Sequence, residues 1–130
     1  MKHYYIDGIF TNLNKLKNDG IWLSGVEKEG EYKRWFRNGK LYQHYFYKNG
    51  ELNGEYKEWH GNGLLSFHRF YKDGELEGEY KVWVNSGELF IHCFYKNGKL
   101  DGEYRKKGIN NNFVIHQLYK DGKVIQDYLA

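Results

Sequence analysis

The chain has 130 residues, a length that predicts one domain, and its 25 aromatic residues argue against disorder despite a mean hydropathy of −0.88. Its net charge of +3 is too balanced to indicate nucleic-acid binding by itself. The single cysteine, Cys93, excludes an internal disulfide framework and fits a reducing compartment.

The N-terminal 29 residues keep no regular spacing of motifs, although they contain the turn-forming pairs Asp7-Gly8 and Asp19-Gly20. They are predicted to form a degenerate repeat or cap. The first ten residues lack the apolar core of a signal peptide, and no apolar run approaches the ~20 residues that a membrane helix needs. We therefore expect a cytoplasmic protein, and the sequence argues against a membrane partner.

A 24-residue repeat organises the rest of the chain. Residues 47–70 and 71–94 are identical at 14 of 24 positions. The triplet Gly-Glu-Tyr and the motif Tyr-Lys-(Asn/Asp)-Gly each recur four times at this step, beginning at Gly30, Gly54, Gly78 and Gly102 and at Tyr47, Tyr71, Tyr95 and Tyr119. The repeat defines four copies, 30–53, 54–77, 78–101 and 102–125, followed by a C-terminal tail, 126–130. The last copy is atypical, as terminal repeats often are, because Lys107 replaces a tryptophan and Asn110–Asn112 replace a turn.

Each copy reads as one β-hairpin. In the second copy, Glu55–His60 and Leu64–Lys72 are β-prone runs separated by a turn at Gly61-Asn62-Gly63. Asp73-Gly74 is predicted to kink the second strand, and Glu77-Gly78 to turn the chain into the next copy. Glycine recurs too often for helices.

Consecutive hairpins predict an all-β fold, a single-layer twisted antiparallel meander of about nine or ten strands spaced ~4.8 Å apart. Such a sheet has no large central core. Its stability should come from ladders of like residues across strands and between neighbouring copies.

The segment Tyr47–Trp59, its copy Tyr71–Trp83 and the connecting Phe36–Leu41 resemble MORN-type repeats. They are most similar to the variant, antitoxin-like form found in bacteria and in large DNA viruses or their satellites. The resemblance covers about residues 20–125. It implies a twisted single sheet of hairpins with roles in protein–protein contact, scaffolding or, in some members, lipid contact.

One predicted strand face carries the candidate binding surface. Tryptophans and lysines recur at the same step and project to one side, with glutamates beside them, while tyrosines project to the other. Tryptophan is enriched where interfaces derive their energy, although it can also simply cover a sheet. The candidate binding residues are Trp35, Trp59, Trp83, Lys33, Lys57 and Lys81. The glutamates Glu31, Glu55, Glu79 and Glu103 are expected to form exposed cross-strand ion pairs.

Four histidines form a second ladder, which is a candidate pH-sensitive stripe because histidine titrates near pH 6. They are His44, His68, His92 and His116. Equivalent residues should lie about 9–10 Å apart, too far to share a metal ion, so neither a metal nor another cofactor is predicted. No asymmetric catalytic constellation is visible, and we expect a protein that is not an enzyme.

These features predict a protein–protein interaction or scaffold module with an unidentified protein partner. One alternative is a ligand-binding repeat that recognises a glycan or a lipid headgroup. Another is single-stranded nucleic-acid binding, against which the interleaved acidic residues argue. The apolar segments 21–23, 124–125 and 128–129 leave open a cap or a homodimer through a sheet edge.

Overall fold

The computed structural model describes residues 28–108 and 110–130 in full, together with the backbone of residues 2–6 and 9–11. The described residues contain no helix and form one sheet of 14 strands, which confirms the expected all-β fold. The strands are β1 (Lys2–Ile6), β2 (Ile9–Thr11), β3 (Gly30–Trp35), β4 (Leu41–Lys48), β5 (Glu51–Leu52), β6 (Gly54–Trp59), β7 (Leu65–Lys72), β8 (Glu75–Leu76), β9 (Gly78–Trp83), β10 (Leu89–Lys96), β11 (Lys99–Leu100), β12 (Gly102–Lys107), β13 (Phe113–Lys120) and β14 (Lys123–Asp127).

From β3 onward every described pairing is antiparallel, and the strands longer than two residues pair in chain order, as expected for a meander of hairpins. The N-terminal segment departs from this pattern, because β1 runs parallel to β3, with Lys2 opposite Glu31 and Ile6 opposite Trp35. β2 then pairs antiparallel with the outer side of β1. The strand count exceeds nine or ten for two reasons. The N-terminal segment adds β1 and β2, and β5, β8 and β11 are two-residue strands, each separated from the next long strand by one residue.

The expected positions of the turn and the kink are reversed. Asp73 and Gly74 form the tight turn between β7 and β8, with φ of 49° and 82°. Both angles are positive, as a type I′ hairpin turn requires, and Asn-Gly and Asp-Gly tolerate this conformation best. Gly78, predicted to turn the chain, instead begins β9 with a φ of 95°, directly after Glu77 interrupts the return strand. Asn49-Gly50 and Asn97-Gly98 form the same turn in their copies.

Each tight turn is bonded to the segment that precedes its own copy. The Asp73 backbone N–H donates to Asn53 Oδ1 at 3.1 Å, and the Asn97 N–H donates to Glu77 Oε2 at 2.7 Å. The next glycine N–H donates to a backbone carbonyl of the same preceding segment, as from Gly74 to Leu52 at 2.9 Å. Asn49 and Asp121 repeat the arrangement with Glu29 and Asp101. These bonds couple neighbouring copies at one margin of the sheet, each contributing about 0.5–1.5 kcal/mol.

The sheet buries little apolar surface for its size. Among the described residues, Tyr32 and Cys93 are the buried hydrophobic side chains, each 1% exposed. Both belong to one face, which we call the tyrosine face, where rings from successive strands pack together. Tyr45 stacks on Tyr56 with ring centres 4.9 Å apart, and the Arg69 guanidinium lies 4.3 Å from the centre of the Tyr56 ring. Aromatic ladders therefore take the place of a conventional core.

The last strand has a different register from the earlier copies. In β14 one residue, Ile125, is inserted between the residues opposite Tyr119 and Leu118. Gln126 stands where the preceding copy has Gly102, whose φ of 112° favours glycine. The shift turns Tyr128 away from the tyrosine face and onto the opposite face, where its ring lies 4.3 Å from that of His116. Residues 126 and 127, predicted to be tail, thus belong to β14.

β14 is an outermost strand of the sheet, and its Val124 and Ile125 are exposed. A bulge at an edge strand hinders pairing with a second chain. Residues 21–23, the other apolar segment, lie outside the described residues. The homodimer stays a prediction.

Candidate binding face

The face opposite the tyrosine face carries a continuous row of basic side chains and histidines, which we call the lysine–histidine row. Its members stand directly opposite one another in successive strand pairings, so that the row crosses eight strands. In spatial order they are Lys33, His44, Lys57, His68, Lys81, His92, Arg105 and His116. The structure therefore brings the predicted lysines and histidines into one line.

Each histidine of this row is bonded to a glutamate of its own copy. The distances from His Nε2 to Glu Oε2 are 2.9 Å for His44–Glu31, 2.8 Å for His68–Glu55 and His92–Glu79, and 3.2 Å for His116–Glu103. Sequence reasoning placed both ladders but missed this pairing. Alternation puts Glu55 and Lys57 on one face, but the register of β6 with β7, which sets Lys57 opposite His68, is what brings the glutamate to the histidine.

A lysine completes the cluster in two copies and an arginine in the last. Lys57 Nζ lies 3.4 Å from Glu55 Oε2, Lys81 Nζ lies 3.4 Å from Glu79 Oε2, and Arg105 contacts Glu103. The hydrogen bond from His68 is the main reason that the pKa of Glu55 is lowered, and His92 lowers the pKa of Glu79 in the same way. In the second and third copies the carboxylate thus lies between a histidine and a lysine, an arrangement that suits a solvated, ordered surface.

Metal binding finds no support in this geometry. Across residues 28–108 and 110–130, no group of three or more histidine, cysteine or acidic side chains is placed to hold an ion. The histidines alternate with the basic members of the row, which keeps neighbouring imidazoles two strands apart.

Tryptophans flank the lysine–histidine row. Trp35, Trp59 and Trp83 end the first strand of their hairpins and stand opposite Leu41, Leu65 and Leu89, respectively. A β-bulge lies next to each tryptophan–leucine pair, and its extra residue belongs to the strand that carries the leucine. Side chains on the tryptophan strand therefore continue to alternate between the two faces, and the indole shares a face with the lysine two residues earlier. All three tryptophans are partly exposed.

The fourth copy interrupts the tryptophan series. Lys107 stands opposite Phe113, at the position that holds an indole in the other copies. A depression of about 160 Å³ lies at this point, open on one side and lined by Leu89, Phe90, His92, Arg105, Lys107 and Phe113. We call it the fourth-copy pocket. Its lining surface is mostly apolar, and Arg105 and Lys107 are among the lining residues.

The tyrosine face offers no activated nucleophile in the part of the chain that is described. Burial raises the pKa of the Cys93 thiol to about 12 and is the main cause that raises the pKa of Tyr95 to about 12. Thiolate is the reactive form of cysteine, so the buried Cys93 is an inert packing residue at neutral pH.

Two further observations bear on the function. Within the described residues no helix is both long and apolar enough to cross a membrane. Neither protein-family models nor curated protein sequences give a match to this chain. The resemblance to MORN-type repeats therefore stays a prediction.

Proposed function

We propose that this protein is a non-enzymatic β-hairpin repeat module whose charged face, comprising the lysine–histidine row, its glutamates and the flanking tryptophans, docks a protein partner. The observation that supports the proposal is the alignment of the same chemical groups, copy after copy, across one face of one sheet. A partner that lies along the strand-pairing direction would meet this pattern every two strands, at ~9–10 Å intervals.

The side chains of this face suit protein recognition. Tryptophan is enriched among the residues that contribute most of the binding free energy at protein interfaces, and the tryptophans of this face are partly exposed and have charged neighbours. The glutamates are already bonded to histidines, and Glu55 and Glu79 also to lysines, so less side-chain freedom is lost on binding. Small-molecule sites enclose about 300–1,000 Å³, whereas the fourth-copy pocket holds about 160 Å³. An extended partner therefore fits this face better than a small substrate.

The test is capture of partners from a lysate of the native source, followed by reconstitution of binding with the purified partner. Trp59→Ala and Trp83→Ala remove indoles, and the double variant Lys57→Glu/Lys81→Glu reverses two charges of the row. The matched control, Lys72→Glu/Lys96→Glu, makes the same charge change at exposed strand ends beside the tight turns. We expect the purified partner to bind the control normally and the face variants at least about tenfold more weakly.

Binding that the face variants leave unchanged would contradict the proposal. So would a chain that captures no protein but whose tryptophan emission shifts with a glycan panel or with anionic vesicles. Salt-sensitive binding of single-stranded DNA or RNA at physiological ionic strength, without a protein partner, would favour the nucleic-acid alternative instead.

A further inference from the structure

We propose that the fourth-copy pocket receives one aromatic side chain of the partner, at a point where that partner carries adjacent acidic groups. The proposal rests on the proposed function, because it names the chemistry that a docked protein presents at one end of the charged face. Two features of the pocket support it: its shape, which follows from the repeat, and its charge.

The shape follows from one substitution within the repeat. Trp83 and its equivalents pair with a leucine on the neighbouring strand, and Lys107 occupies the equivalent position in the fourth copy. A lysine side chain is thin and flexible, and replacing an indole with it leaves the apolar groups of the site uncovered. Phe113, opposite Lys107, is 43% exposed. The opening therefore lies where the fold accommodates a flat aromatic ring in three other copies.

The charge follows from the same substitution. Lys107 adds a cation that the preceding copies lack at this position, and it makes no ion pair with any carboxylate among the described residues. Its ammonium group lies 5.9 Å from the centre of the Phe113 ring, and the Lys106 ammonium lies 5.4 Å from that of Phe90. Arg105 also lines the pocket and is bonded to Glu103. An aromatic ring entering the pocket would bring its flanking acidic groups against a cation that lacks an ionic partner.

The pocket marks one position along the charged face, whereas the repeated side chains mark several equivalent positions. A surface that repeats every 24 residues offers a long partner several equivalent alignments, each shifted by one copy. A site that occurs in the fourth copy, where the tryptophan is missing, distinguishes these alignments. An aromatic anchor seated there would fix both the register and the direction of the partner along the sheet.

The experiment measures binding of three fluorescein-labelled peptides by anisotropy, with core sequences Asp-Trp-Asp, Asp-Ala-Asp and Lys-Trp-Lys. We expect the first to bind at least about tenfold more tightly than either of the others. Lys107→Gln keeps the length of the side chain and removes its charge, and should weaken binding of the first peptide and reduce its salt dependence. The matched control Lys120→Gln, at the exposed end of β13, should have no effect.

Filling the pocket is the decisive variant. Lys107→Trp/Phe113→Leu recreates the tryptophan–leucine pair of the third copy, an arrangement that this fold already accommodates. It should abolish binding of the Asp-Trp-Asp peptide while the far-ultraviolet circular dichroism is retained. Equal binding by the filled variant, or no preference among the three peptides, would overturn the proposal. Loss of a purified partner in the tryptophan variants together with no preference among the peptides would refute the pocket and leave the proposed function standing.

Discussion

Three glycine-to-alanine substitutions separate backbone strain from crowding in this sheet. Gly61 has no positive φ, and an added Cβ would meet no atom within 4 Å. Gly78 has a φ of 95° and the same open surroundings. Gly102 has a φ of 112°, and its Cβ would lie 3.3 Å from the Phe94 Cβ. Alanine therefore introduces neither strain nor crowding at position 61. It introduces backbone strain alone at position 78, and backbone strain together with a close contact at position 102.

The expected changes in the free energy of unfolding follow in that order. Gly61→Ala should leave stability unchanged or raise it by up to ~1 kcal/mol, because alanine restricts the unfolded chain. Gly78→Ala should lower it by about 1–3 kcal/mol through backbone strain. Gly102→Ala should lower it by about 2–4 kcal/mol, because its Cβ also presses on a backbone-anchored atom that cannot swing away.

Urea unfolding followed by both tryptophan fluorescence and circular dichroism measures these values. The two probes should give coincident curves if the copies unfold together, and the free energies are comparable only in that case. Equal stability of Gly78→Ala and Gly61→Ala would refute the assignment of strain to the strand interruptions. Equal losses for Gly78→Ala and Gly102→Ala would show that the contact with Phe94 costs nothing.

Three other predictions concern the turns, the carboxylates and the thiol. Glu77→Ala should lower the free energy of unfolding in urea by about 0.5–1.5 kcal/mol, because the Asn97 N–H loses its acceptor. The control Glu88→Ala, at an exposed loop position, should leave that free energy unchanged. Since the pKa of Glu55 is lowered in the fold, its stabilisation is present above the ordinary pKa of a glutamate and is lost as pH falls through the lowered value. The stability difference between the native chain and Glu55→Gln, at most ~1 kcal/mol because the pair is exposed, should therefore shrink between pH 6 and pH 3, and a constant difference would contradict this. Cys93, with a pKa of about 12 and 1% exposure, should resist iodoacetamide at pH 8 in the folded chain and react in urea, as measured by mass spectrometry.

The repeat made most of the fold predictable, because a period of 24 residues fixes which side chains are equivalent before any pairing is known. The hairpin loop at Gly61-Asn62-Gly63 and the alternation that puts Tyr56 and Lys57 on opposite faces follow from local rules. The reversed roles of Asp73-Gly74 and Glu77-Gly78 show where those rules failed. Both residue pairs contain a glycine with positive φ, and only the register of β7 with β8 shows that Asp73-Gly74 is the pair that reverses the chain.

The site was predictable in composition but not in contacts. Lys57 and His68 were placed in separate ladders, yet the pairing of β6 with β7 makes them direct neighbours and brings Glu55 to the histidine. The turn bonds were missed for a similar reason. The residue preceding each internal Gly-Glu-Tyr triplet carries a side-chain oxygen, as in Asn53 and Glu77, but its bonding partner belongs to the next copy. Contacts between copies require the stacking register, which one copy does not contain.

Two departures from the repeat account for the special character of the C-terminal end. With Gln126 in place of glycine the strand cannot adopt the interruption of the earlier copies, so it continues with a single bulged residue and places Tyr128 over His116. The tyrosine ring thus lies against the imidazole of His116, the eighth member of the lysine–histidine row. With Lys107 in place of tryptophan, the same copy opens the fourth-copy pocket. A single-layer sheet built from nearest-neighbour contacts can accept both changes because each alters only its own copy and the adjacent one. The internal copies can therefore keep the repeated surface while the terminal copy acquires a distinct one.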